Sequence, residues 1–226
     1  MKLTKEQLAR IRSFIQQKGF NYIDVQMEIL DHVASSVEER MEADQHLKFE
    51  DAISQTHEAF GPDGFTVIQK SVVKGLKKKY SKFFWQNFLS YFGYKYILMV
   101  LFLGFVVYKL QMMVSNDNFY TIYIIGMFGI VGILLLYNLK DSIYKKYMSY
   151  RSAVSFLTFL GSFLVVTNMA ISKSNQTSIF FSLNRSFLIV SVLITLFVIY
   201  FITALKTAKA GMRESKQLMD KYKLVV

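Results

Sequence analysis

Glu28, Asp31 and His32 stand within five positions of one another, and His57 follows 25 positions later. On a helix, Glu28 and His32 share a face at i,i+4, a carboxylate and an imidazole at a spacing that can hold a divalent metal. A zinc hydrolase would need more. His-Glu-x-x-His is absent, as are a phosphate-cradling Gly-rich loop ending in Lys-Ser/Thr, Gly-x-Ser-x-Gly and a dinucleotide fingerprint. With no Cys, thiolate ligands, cysteine nucleophiles and disulfides are excluded. The expectation is therefore no metal and no cofactor, with Glu28, Asp31, His32 and His57 in structural pairing or capping roles. A non-enzymatic protein follows from that expectation.

These residues need helices to position them. Thr4 and Gln7 form a capping-box pattern, Leu8, Ile11 and Ile15 line one face, and Gly19 can close the helix. Asn21 can cap a second helix, whose apolar residues Ile23, Met27, Leu30, Ala34, Val37 and Met41 recur at spacings of four and three. A third helix is predicted over 49–60, then a turn at Gly61-Pro62-Asp63-Gly64, then a fourth helix beginning with Phe65, Ile68, Val72 and Leu76. Residues 1–75 thus read as a small helical head.

Beyond the head the composition changes. Of 226 residues 53% are hydrophobic and 19% charged, below the roughly 25% charged of a typical soluble chain. The charge is missing from four apolar runs, Tyr96–Val114, Phe119–Leu139, Ser152–Ser172 and Ser186–Leu205. Each approaches the roughly 20 residues that span a bilayer core as a helix. The predicted fold is all-α, a small cytoplasmic helical domain plus a four-helix transmembrane bundle. Its divisions are the head at 1–75, a basic-aromatic interfacial helix at 76–95, the four-span membrane domain at 96–205 and a basic cytoplasmic tail at 206–226.

Orientation follows from Lys and Arg. Flanks before the first run, between the second and third, and after the fourth collect 17 basic residues, against Lys173 and Arg185 on the other side. The positive-inside rule then places both termini in the cytoplasm of a multi-pass protein of the bacterial inner (plasma) membrane. The head carries 7 Lys/Arg against 12 Asp/Glu over residues 1–63, and the remainder 20 against 4. Basic residues beside apolar spans point to anionic lipid headgroups rather than nucleic acid. Lys77, Lys78, Lys79, Lys82, Trp85, Lys145, Lys146, Lys206 and Lys209 are the expected interface residues. Gly93 can bend the chain into the first span. Gly126, Gly129 and Gly132, with Ser155, Thr158 and Ser162, form small-residue faces suited to close helix packing. No Asp, Glu or His lies inside any span, which weighs against proton-coupled transport.

Glu28-Ile-Leu-Asp31-His32, Glu38-Glu39, Phe49-Glu50-Asp51-Ala52 and Phe60-Gly61 together resemble the HAAS-type, or permease-prefix, helical domain over residues 4–75. That domain precedes transmembrane helices in bacterial membrane proteins. The resemblance implies a cytoplasmic signalling or assembly module, sometimes associated with transcriptional regulators or permeases, and supplies no catalytic residues. The expected role is a regulatory or assembly subunit whose head docks another protein or a second copy of the chain. The competing readings are a transporter or channel component and, further off, a membrane lipid enzyme.

Overall fold

A computed structural model describes residues 2–113, 121–122, 125–126, 129–130, 132, 143–159, 162 and 183–223. Most of the second and third apolar runs, the connector after the first, and Asn138, Asp141, Asn168 and Asn175 lie outside the described residues. Every regular element among the described residues is helical: α1 (Lys5–Gln17), α2 (Ile23–Ala43), α3 (Phe49–Ala59), α4 (Thr66–Ser90), α5 (Ile97–Met113), a 3-10 turn (Tyr144–Lys146), α6 (Met148–Thr158) and α7 (Leu183–Lys223). The all-α expectation holds. The chain divides into two compact units, one of Met1–Lys79, Ile143–Ser152 and Met212–Val226, the other of Tyr80–Ser142 and Ala153–Gly211.

In the first unit, α1 starts on the expected capping box. Thr4 Oγ1 accepts the Gln7 N–H at 3.3 Å, and Gln7 Oε1 accepts the Thr4 N–H at 2.8 Å. Gly19, at φ +90°, ends the helix in a conformation that only glycine adopts freely. The second helix departs from expectation. Tyr22, not Asn21, holds the N-cap position and makes no side-chain capping bond. The fully buried stripe is Val25, Ile29, Val33 and Val37, while Leu30, Ala34 and Met41 pack at its edge. A 21-residue helix carries both stripes, and its neighbours α1 and α3 select the one spaced by four. Ile11, Ile15, Ala52 and Ile53 meet it from those helices. Phe65 is a ring hub, with His57 at 4.8 Å, Phe60 at 5.4 Å, and Phe14 and Phe20 each at 6.2 Å between centroids.

In the second unit, Phe84 of α4 stacks on Phe156 of α6 at 4.6 Å and tilts against Tyr200 of α7 at 5.0 Å. The Tyr200 hydroxyl donates to the Phe156 carbonyl at 2.7 Å, so the phenol is satisfied among rings. The expected bend is present. Helix α4 stops at Ser90, and the amides of Tyr96 and Ile97 bond the Gly93 carbonyl at 3.0 Å as α5 begins. Helix α5 meets α7 through Val100 and Ile199, and through Gly104, where an added Cβ would lie 3.5 Å from Thr195 Oγ1.

Within α7, Phe187–Lys221 is the one described stretch long and apolar enough to cross a membrane, and its best window reaches a mean hydropathy of 2.8. Only 44% of that window is buried, whereas the core helix of a soluble protein is mostly buried. The expected first span, α5, is a shorter apolar helix of 17 residues.

Candidate functional site

The polar centre of the first unit is Asp24, in the first turn of α2. Its Oδ1 accepts the Met148 N–H and its Oδ2 the Ser149 N–H, both at 2.8 Å. Those are the opening amides of α6. The residue before them, Tyr147, is extended at φ −113°, ψ 129°, the backbone of an N-cap, but is not one of the short oxygen-bearing side chains that favour the position. Asp24 takes that place from another part of the chain. Oδ1 also accepts its own neighbour's N–H, from Val25 at 3.1 Å. One carboxylate therefore sits at the starts of two helices, each presenting unsatisfied amides and the positive end of its dipole.

Further contacts lie within the same unit. Arg151 donates to the Tyr22 hydroxyl and lies 5.8 Å from that ring's centroid, a cation–π distance. Ser149 and Ser215, both fully buried, share a hydroxyl–hydroxyl bond of 3.0 Å. Lys79 donates to Glu214 at 2.6 Å. Met148 packs against the head's apolar core. Burial pushes the Tyr147 phenol pKa up, and the Asp24 and Asp220 carboxylates push it the same way against Arg12. Residues 143–152, which cover most of the expected connector and the first residue of the expected third span, and 212–223 of the expected tail at 206–226, belong to the same unit as residues 1–79.

The chemically suggestive residues do not assemble. His32 Nε2 lies 3.7 Å from Glu28 Oε1, both side chains more than half exposed, and Asp31 is exposed beside them. His57 belongs to the Phe65 ring cluster instead, where burial, then Lys18, lowers its pKa against a smaller opposing effect of Glu58. Among the described residues no three His, Cys, Asp or Glu side chains are grouped to hold a metal.

Of the expected interface residues, Lys77, Lys78, Lys82, Lys145, Lys146 and Lys209 are exposed, and Trp85 is 52% exposed. Lys206 reaches the Tyr91 hydroxyl at 2.7 Å. Ser155, Thr158 and Ser162 are exposed, and the buried face of α6 is Ser149, Tyr150, Ser152 and Ala153. A Cβ added at Gly126, Gly129 or Gly132 meets no described atom within 4 Å.

Sequence reasoning passed over a second polar centre. Gln111 of α5 is buried, and its Nε2 donates to Ser191 Oγ at 2.7 Å and to the Phe187 carbonyl at 3.4 Å. Its Oε1 has no partner among the described residues. The buried hydroxyls of Ser191, Thr195, Thr203 and Thr207 each bond the carbonyl four residues earlier in α7.

No protein-family model, no curated protein and no solved structure matches this chain.

Proposed function

We propose that the chain is a multi-pass inner-membrane regulatory or assembly subunit without enzymatic activity, whose cytoplasmic head docks another protein. The observation that carries this reading is the Asp24 junction, where two short, charge-assisted bonds, with the Arg151–Tyr22 contact and the packing of Met148, join the head to 143–152. The carboxylate's own share, on two helix starts, is about 1–2 kcal/mol, small enough for a partner to compete with. The acidic balance of the head favours a partner with a basic face.

Membrane residence is supported by where apolar side chains are left uncovered. On α5, Leu98, Leu101, Phe102, Phe105 and Met113 are 57–82% exposed, and on α7 Leu188 and Ile189 are 58% and 55% exposed. A water-soluble surface rarely leaves so continuous an apolar patch, whereas lipid covers one at no cost. The asymmetry of 17 basic residues to 2 supports four crossings with cytoplasmic termini. The hydroxyls of Ser191, Thr195, Thr203 and Thr207 are turned onto their own helix, which favours helix packing over a passage for solute. The likeness of residues 4–75 to the HAAS-type domain supports the same role for the head.

Deleting residues 1–62 tests the reading. The remaining chain should still fractionate with membranes while losing the protein cross-linked to the intact head in cells. An unchanged cross-linked set would refute docking by the head, and failure to insert would assign the head a purely structural role.

A further inference from the structure

Around the end of α4 the second unit gathers two ammonium groups and two phenols. Lys206 Nζ donates to the Tyr91 hydroxyl at 2.7 Å and lies 4.9 Å from that ring's centroid. The Tyr91 and Tyr96 rings are 5.7 Å apart, and Lys95 Nζ lies 5.4 Å from the Tyr96 centroid. Tyr91 is 7% exposed, so its ring is fixed in the core it shares with Val100 and Ile199, while Lys95 and Lys206 are exposed. Among the described residues neither ammonium is paired with a carboxylate.

The donor chemistry is specific. A phenol that accepts from Lys206 keeps its own proton to give, and the ammonium keeps two. Three donors on two adjacent groups, with a second cation one ring away, suit an anion bearing several acceptor oxygens. The surroundings indicate which anion. Trp85, Leu89, Phe92 and Tyr94, from the same stretch of chain, are 52%, 60%, 37% and 95% exposed. Trp85 and Tyr94 are the amphipathic aromatics that settle at the headgroup level of a bilayer, and Leu89 and Phe92 add apolar surface beside them.

We propose that Tyr91, Lys95, Tyr96 and Lys206 form a binding site for the phosphate of an anionic phospholipid headgroup. The site rests on the membrane reading above. It differs from general attraction to the leaflet because the donors are held in place by a buried tyrosine.

Full-length protein, extracted from membranes in mild detergent and supplied with phosphatidylglycerol, provides the test by native mass spectrometry. The wild type should retain one phosphatidylglycerol in preference to phosphatidylcholine. Lys206→Gln and Tyr91→Phe should each weaken retention about ten-fold, the weight of one charge-assisted hydrogen bond, while Lys216→Gln, an exposed lysine further along the same helix, leaves it unchanged. Equal loss in Lys216→Gln would overturn the site in favour of diffuse attraction. Displacement of the lipid by millimolar inorganic phosphate would overturn the lipid as its occupant. Protein recovered from the soluble fraction without detergent would refute the membrane reading itself, a result separate from the other two.

Discussion

Asp24 and Ser149 are 125 positions apart in the chain and joined by a 2.8 Å bond from a backbone amide to a carboxylate. With the matching bond from Met148, it makes the start of α6 dependent on a side chain of α2. Asp24→Ala should therefore cost about 1–2 kcal/mol, the usual loss of an N-cap together with its charge. Hydrogen exchange localises the loss: the amides of residues 148–151 should exchange faster, with those of α1 unchanged. Equal acceleration throughout residues 1–79 would mean that Asp24 supports the whole unit rather than this junction.

His57 gives the head a dependence on pH. Its pKa lies below the ordinary 6.5, chiefly because the ring is partly buried, edge-on to Phe14 and Phe65. The unfolded chain then binds the proton more readily than the folded one. This contribution is complete above about pH 6.5 and is lost as the pH falls through and below that value. Melting of the intact protein should fall in temperature between about pH 7.5 and 5.5, and His57→Gln should narrow that difference. A difference equally wide in the variant would assign the effect to other groups.

Gln111 and Ser191 join α5 to α7 by a bond between buried side chains, and replacing each and then both isolates its value. Gln111→Met, Ser191→Ala and the double variant should show a coupling of about 0.5–1.5 kcal/mol in detergent unfolding. The cost of Gln111→Met alone should be small, because it also removes the unpartnered Oε1. Zero coupling would contradict a structural role for the bond.

Topology is open to a clean test because the chain has no Cys. A single Cys at Asn116 or Asn175 should react with an impermeant reagent in intact cells, and a single Cys at Ser54 should not. Reaction at Ser54 would invert the proposed orientation.

The sequence makes α1 readable because everything that shapes its ends is local: Thr4 meets Gln7 three residues on, and Gly19 stands where the left-handed turn requires it. The bend at Gly93 and the Gly61–Gly64 turn are legible for the same reason. Helix α2 shows the limit. Its apolar residues allow two stripes that share Val37, and burial against α1 and α3, a non-local outcome, decides for Val25, Ile29, Val33 and Val37. Asp24 looks like any acid in a first turn, because the helix start it completes lies more than 120 residues away. Gln111 is a single neutral polar residue in an apolar run, and its partner on α7 carries no pattern that announces it. Glu28 and His32 stood out for the opposite reason: their spacing is conspicuous, but their side chains face solvent.

If the head docks its partner by leaving the segment that Asp24 holds, tying the two together must abolish docking. Tyr22→Cys and Arg151→Cys, introduced together into the Cys-free chain, allow a short bifunctional maleimide to lock the head to 143–152 with Asp24 in place. The measurement is partner retention on the purified full-length protein, locked against unlocked, using the protein cross-linked to the head in cells. The locked form should lose that partner while the unlocked double variant retains it. Equal retention by both forms would contradict docking by release of that segment.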